Sequence, residues 1–363
     1  MTGPSSQDAG ALDPAVPREP EAPIESTADC DLDTAPEPDT ATEPAPPERP
    51  GSSAFSLEGR RAPGLYLVGW LATVLGGSTL LVAVISASGG LGGLVLTLGG
   101  SLVLGLGLIA AAGAQAIERR DRADLAYRGP WPGLVFVASV PLTILAALPL
   151  VLLGFDSSAP ITTLLSVCAT DAIWLALIAL TVVGTGALRW TEIGAGISGV
   201  PVARIGADII LGALAAIPVL LATALITGAL VELLGTTPES SIPVPHDAVS
   251  LAVILLAAAV VAPIGEELFY RGFVTTAWAR GLGPTTAILR GGLFFALVHV
   301  LTIGGADFSH ASRAAFIAFV ARIPIGLVLG WIFIRRRSLP ASIALHATFN
   351  GVLVLLATAS VAS

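Results

Sequence analysis

The sequence predicts an all-α protein: a polytopic bundle of about nine transmembrane helices, preceded by a disordered acidic tail. The 363 residues are 54% hydrophobic and only 12% charged, and their mean hydropathy is +0.84. A soluble globular domain is, by contrast, about a quarter charged. The apolar residues also lie in long blocks, and most blocks reach the roughly 20 residues that a helix needs to cross about 30 Å of hydrocarbon.

The first 62 residues are predicted to form a disordered cytoplasmic tail. Residues 1–58 are rich in Pro, Ala, Ser and Thr and hold 13 of the 26 acidic residues. Such a segment buries too little apolar surface to offset its loss of conformational entropy on ordering. The net charge of −8 is therefore a property of the tail, and no nucleic-acid partner is expected.

Nine apolar segments follow the tail, and each is predicted to be one membrane span. Their approximate boundaries are 64–87, 91–115, 131–154, 161–187, 205–233, 249–273, 286–305, 313–334 and 339–360.

The distribution of arginines predicts the orientation of the bundle. Arginines precede the first segment and lie in or beside the second, fourth, sixth and eighth connections: Arg60, Arg61, Arg119, Arg120, Arg122, Arg128, Arg189, Arg204, Arg280, Arg290, Arg335, Arg336 and Arg337. The first, third and fifth connections carry none, and the seventh carries only Arg313, at its edge. The positive-inside rule therefore predicts a multi-pass protein of the cell membrane with a cytoplasmic N-terminus and an external C-terminus.

The sixth segment ends in a charged cluster. Glu267 and Arg271 are four residues apart with the acid first, which favours an ion pair on a helix. Glu266 is rotated by about 100° from Glu267, so it faces a different neighbour. A carboxylate left facing a cavity suits a general base. The alternative is a pair of acids that reach towards water at the cytoplasmic end of a helix.

Two later segments carry matching polar residues. Phe295 and His299 are four residues apart in the seventh, and His346 and Asn350 are four apart in the ninth. If the membrane interface is set near residues 274, 290 and 338, Glu266 and both histidines lie about 12–14 Å below it. Each histidine could instead be a hydrogen-bonded packing residue. The other intramembrane charges, Asp171 and Arg322, are predicted to form an ion pair with each other.

These motifs resemble those of the CPBP intramembrane proteases, also called the ABI family, which include CAAX prenyl endopeptidases and bacteriocin-processing or immunity proteins. The resemblance rests on Glu-Glu-x-x-x-Arg, Phe-x-x-x-His and His-x-x-x-Asn, in that order on successive late segments between Glu266 and Asn350. It covers about residues 205–360. We therefore predict a catalytic transmembrane core at 205–363, preceded by separate N-terminal transmembrane helices at 63–204.

The resemblance implies a role for each motif residue. Glu266 would activate the attacking water together with His299, while His346 and Asn350 would stabilise the oxyanion. Three further residues would support the site: Glu267, Arg271 and Phe295.

The resemblance leaves the metal requirement open. His-Glu-x-x-His, the zinc motif with two ligands one turn apart, is absent from the sequence. We favour a mechanism that needs no cofactor, because Asn350 suits an oxyanion donor better than a metal site. The alternative is a catalytic zinc ion held by Glu266, His299 and His346.

The predicted activity is that of an intramembrane endopeptidase that hydrolyses a peptide bond near the cytoplasmic side of the membrane. Its partners would be the lipid bilayer and a peptide or protein substrate, with membrane-anchored substrates included. One alternative is a non-catalytic membrane scaffold or immunity protein with the same fold. Another is a secondary transporter that relays protons through the acids, although the sequence has no inverted repeat.

Overall fold

A computed structural model describes residues 57, 59–86, 90–196, 199–238, 243–301, 303–304 and 307–362. The predicted tail at 1–62 lies almost entirely outside these residues. Within the described ranges every regular element is helical and no strand occurs. The predicted all-α class is confirmed.

The described residues form nine helices, some of them continuous through short π-helical stretches. They are α1 Pro63–Ile85, α2 Gly90–Arg119, α3 Pro132–Leu152, α4 Pro160–Val183, α5 Val202–Leu234, α6 Ala248–Leu282, α7 Pro284–Val298, α8 Phe308–Arg336 and α9 Leu339–Ala362. Proline stands at the first helical turn of several of them, where its missing N–H removes no helical hydrogen bond.

Eight of these helices are long and apolar enough to cross a membrane, and α7 is the exception. Its 15 residues span only about 22 Å. α7 packs antiparallel to α8, with Gly292 against Gly326 and Ile288 against Gly330. In this register α8 continues about 18 Å beyond the end of α7. Helix α7 ends before His299, whereas the sequence predicted a span to about residue 305.

Ion pairs between distant segments show which helix termini lie at the same end of the bundle. Asp208, near the start of α5, pairs with Arg336 at the end of α8 at 2.6 Å. Glu192, in the connection before α5, pairs with Arg280 near the end of α6 at 2.9 Å. These helix termini lie at the end of the bundle that carries the arginine clusters named above. We call it the arginine-rich end.

Helices α5 and α9 approach so closely at Gly212 that a side chain there would overlap the carbonyl oxygen of Ala341. Small residues at helix crossings allow such contact in lipid, where the hydrophobic effect does not drive helices together.

We expect Gly212→Ala to destabilise the bundle by about 1–3 kcal/mol, because the clashing atom belongs to backbone and cannot rotate away. Gly206→Ala is the matched control, since it lies on the same helix with no atom within 4 Å of the new Cβ. Denaturant unfolding in detergent micelles would measure both variants. Equal stabilities would contradict the packing argument.

Candidate active site

A local widening of α6 shapes the start of the site. The helix is π-helical over Ala257–Val261, where the N–H of Ala262 bonds to the carbonyl of Ala257 instead of Ala258. In π-helical register the carbonyl of Ala258 would need the N–H of residue 263, which is a proline and has none. The Asn350 side chain supplies the missing donor, with its Nδ2 atom 2.9 Å from that carbonyl oxygen. Asn350 therefore joins α9 to α6 while its second N–H remains available.

Glu267 lies at the centre of a buried charged cluster. Its Oε1 atom accepts a hydrogen bond from Nη1 of Arg271 and one from Nδ1 of His346, both at 2.9 Å. Glu267 is 0% exposed and Arg271 1%. The ion pair predicted from the i, i+4 spacing is thus present. The contact with His346, which joins residues 79 positions apart, was not predicted, because it depends on the rotation of α9.

Glu266 faces the other way and lies between the two histidines. Its Oε2 atom is 3.5 Å from Nε2 of His299 and 3.7 Å from Nε2 of His346. The same oxygen is buried and has no hydrogen-bond partner among the described residues. A buried carboxylate oxygen without a donor is costly. Oε2 of Glu267 also lacks a partner in the described part of the chain, but only Glu266 lines a cavity from which a polar group could reach it.

The second nitrogen of each histidine is fixed by a hydrogen bond. Nδ1 of His299 donates to the carbonyl of Phe295 at 2.7 Å, as Nδ1 of His346 donates to Glu267. In each neutral ring, Nε2 is then the unprotonated nitrogen that faces Glu266.

The Phe295 ring supports both imidazoles and the buried cation. Its centroid is 4.3 Å from the ring centroid of His299 and 5.7 Å from that of His346. The guanidinium carbon of Arg271 lies 4.4 Å from the same Phe295 centroid. Aromatic faces attract cations, so this contact helps to keep the charged Arg271 inside the bundle.

These groups lie at one end of a cavity of about 570 Å³. Glu266, His299, His346 and Asn350 all line it, and so does Arg322. From there the cavity extends to the end of the bundle where α4, α6 and α8 begin and α5 and α9 end. We call this the mouth end; its lining residues include Thr163, Val231, Thr237, Pro245 and Ala357.

On the opposite side of Glu266 the bundle is filled by aromatic side chains. Phe269, Tyr270 and Phe273 are at most 2% exposed. Trp174 stacks on Phe269 with ring centroids 4.9 Å apart, and Tyr270 meets Phe295 edge-on at 5.3 Å. The described cavity therefore does not continue past this aromatic cluster towards the arginine-rich end.

The predicted Asp171–Arg322 ion pair is wrong. The Asp171 carboxylate lies against Gly265 of α6, where a methyl group would overlap it. Nη1 of Arg322 instead donates to the carbonyl of Ala318, one turn earlier, at 3.1 Å. The two residues are on separate helices, and the rotation of these helices, which no local sequence pattern reports, turns them to different neighbours.

The described residues contain no candidate metal centre. No group of three His, Cys, Asp or Glu side chains within them is arranged so that it could hold a metal ion. The zinc ligand set that the sequence left open was Glu266, His299 and His346. In this structure both Nε2 atoms are directed at a single oxygen of Glu266, and we derive no catalytic step through a metal.

Comparison with protein families gives an independent result. Residues 248–352 match the family model described as type II CAAX prenyl endopeptidase Rce1-like. This stretch of the chain therefore resembles the Rce1-like family. The match confirms the resemblance to the CPBP family and spans α6, α7, α8 and most of α9, so every motif residue of the site lies within it. The Rce1-like family supports a CAAX protease-type function in general terms. Searches of curated proteins and of solved structures returned no match.

The Rce1-like region also contains features that sequence reasoning missed. The bond from Asn350 to the Ala258 carbonyl could have been suspected from Pro263, which removes a backbone donor from an otherwise regular apolar helix. The presence of Arg322 in the cavity had no comparable signal. Its helix is apolar around most of its circumference, so periodicity does not tell which face meets the site.

Proposed function

We propose that this protein is an intramembrane endopeptidase that hydrolyses a peptide bond within the cavity. The observation that carries the proposal is the Oε2 atom of Glu266, which lacks a hydrogen-bond partner and lies within 3.7 Å of two imidazole nitrogens. A carboxylate, two imidazoles and an amide around one cavity match the requirements of general-base hydrolysis. The Rce1-like match supports the same reaction class.

In the proposed reaction, Glu266 accepts a proton from a water molecule while the water oxygen attacks the peptide carbonyl carbon. His299 shares the positioning of this water through Nε2. The C–N bond of the resulting tetrahedral intermediate then breaks, and Glu266 returns the proton to the departing amine. The substrate would be a peptide or a protein, with membrane-anchored ones included.

The oxyanion would be stabilised from α9. Asn350 offers its second Nδ2–H, and His346 offers Nε2–H when its ring is protonated. Because Nδ1 of His346 bonds to the Glu267 carboxylate, that carboxylate orients the ring. Donors preorganised for developing charge typically contribute about 3 kcal/mol each. Glu267, Arg271 and Phe295 act as positioning residues.

The cavity favours substrate access from the mouth end. Arginine bias predicts that the arginine-rich end is cytoplasmic, and the aromatic cluster fills the bundle between that end and Glu266. On this orientation the mouth faces outward, and cleavage near the cytoplasmic side, which concerns the depth of the site, stays a prediction. Supplying substrate to one face of vesicles, with the tail orientation determined by proteolysis, would distinguish the two faces.

The test of the function is a cleavage assay in reconstituted vesicles with histidine variants. We expect His299→Ala and His346→Ala each to lower kcat by about 10²–10⁴-fold, because each removes a group that acts on the reacting atoms. His246→Ala and His310→Ala are matched controls, since neither lines the cavity, and they should retain activity.

Correctly inserted site variants that cleave at the wild-type rate would rule out the proposed hydrolysis. A wild-type protein that cleaves no peptide from a broad library would favour the scaffold or immunity alternative. A proton flux across the same vesicles that disappears when Glu266 is replaced would favour a transporter.

We propose that the reaction requires no metal. Treatment of the purified protein with a zinc chelator, followed by its removal, should then leave kcat within about twofold of the untreated value. Loss of activity that added Zn²⁺ restores, together with stoichiometric zinc by elemental analysis, would contradict this and favour Glu266, His299 and His346 as ligands.

A further inference from the structure

Arg322 has no assigned task in the proposed reaction, yet it lines the same cavity as Glu266. It lies near the middle of α8, at a depth where an ionised side chain is expensive to maintain. Such residues are usually neutralised by a neighbouring charge or serve a function.

Arg322 forms no direct ion pair with a counter-ion among the described residues. Its one hydrogen bond to them runs from Nη1 to the carbonyl of Ala318. Glu266 is the only carboxylate among the residues that line the cavity, and it makes no direct ion pair with Arg322. The Nε and Nη2 donors, which form the edge that binds carboxylates side-on, remain available.

The register of α7 and α8 places this cation close to the reacting groups. Gly292 lies against Gly326 in the antiparallel pair, so Arg322 lies opposite Ala296. His299 follows Ala296 by three residues, or about 4–5 Å along the helix axis. Along the helix axis, Arg322 and His299 are therefore separated by about the length of one or two extended peptide residues, at 3.3 Å per residue.

We propose that Arg322 binds a carboxylate of the substrate peptide and so selects peptides that carry one close to the cleaved bond. This inference rests on the proposed endopeptidase function and adds its specificity. Guanidinium and carboxylate form paired hydrogen bonds that are strong in a water-poor cavity. The carboxylate would be a free C-terminus or an acidic side chain; either has the same chemistry at Arg322.

The test uses the full-length protein in vesicles and matched peptides. One pair ends in a free carboxylate or an amide, and a second pair carries Asp or Asn beside the cleavage site. In one of the two pairs, we expect the wild-type protein to have a KM for the carboxylate peptide about 10–100-fold lower than for its uncharged partner. This factor corresponds to the free energy of a charged hydrogen bond. Arg322→Gln should abolish this preference, while Arg322→Lys should retain part of it. Arg313→Gln, on the same helix but outside the cavity, should behave as the wild type.

Three outcomes would overturn the proposal. The wild type could show no preference in either pair. Arg322→Gln could lower kcat equally for all four peptides, which would mean that Arg322 only balances the charge of Glu266. The effect could follow anionic lipid in the vesicle instead of the peptide, which would assign Arg322 to a headgroup phosphate.

A binding assay separates this inference from the function on which it rests. Peptides with a reduced, uncleavable bond would be tested for binding by competition with a fluorescent peptide. If no peptide is cleaved, the proposed function fails, yet a carboxylate preference in binding that depends on Arg322 would still support the site. If cleavage is normal but binding shows no such preference, the inference alone is overturned.

Discussion

Replacing Glu266 by Gln is expected to lower kcat by about 10²–10⁴-fold while KM changes little. Gln has nearly the same shape as Glu but cannot accept a proton from water, so only the base is removed. The Oε2 atom of Glu266 makes no hydrogen bond to the described residues, so the substitution breaks no structural contact there. Single-turnover cleavage of a quenched fluorescent peptide in vesicles would measure the chemical step.

Glu232→Gln is the matched control for this change. Glu232 is exposed near the end of α5 and does not line the cavity, so its replacement should leave kcat within about twofold of wild type. A Glu266→Gln protein with normal insertion, normal thermal stability and wild-type kcat would refute the assignment of Glu266 as the base.

The second large effect is expected from Arg271→Met, as a loss of stability of about 3–5 kcal/mol. Met fills a similar volume but leaves the fully buried Glu267 carboxylate without its counter-ion. Because Glu267 also holds His346, the variant should lose activity together with stability. Denaturant unfolding in micelles would give the change in unfolding free energy.

The Arg280–Glu192 pair provides a matched control, since it has the same length of 2.9 Å but is about one-third exposed. Arg280→Met should cost at most about 1 kcal/mol, the usual range for an exposed ion pair. Adding Glu267→Gln to Arg271→Met should recover part of the lost stability by removing the uncompensated charge. Equal losses in Arg271→Met and Arg280→Met would contradict the proposed role of burial.

The Glu267–Arg271 pair was predictable because both partners lie on one helix, where spacing determines proximity. Glu266 can approach His299 and His346 only if the three residues lie at similar depths on their helices. The depths estimated from the sequence were similar, so this approach was predictable. The contact between His346 and Glu267 also depends on the rotation of α9, which no local pattern reports.

The sequence alone determined that the described chain is an apolar, all-helical bundle, and it identified the charged groups that membrane burial makes costly. Hydropathy and the identity of polar residues are properties of the chain, so they can be read before folding. Only the tertiary structure decided that α7 ends before His299 and that Asn350 compensates for the donor missing at Pro263. It also decided that Arg322 faces the cavity and does not pair with Asp171. These outcomes depend on helix register and rotation, and helices that are apolar on most faces carry little periodic signal for either.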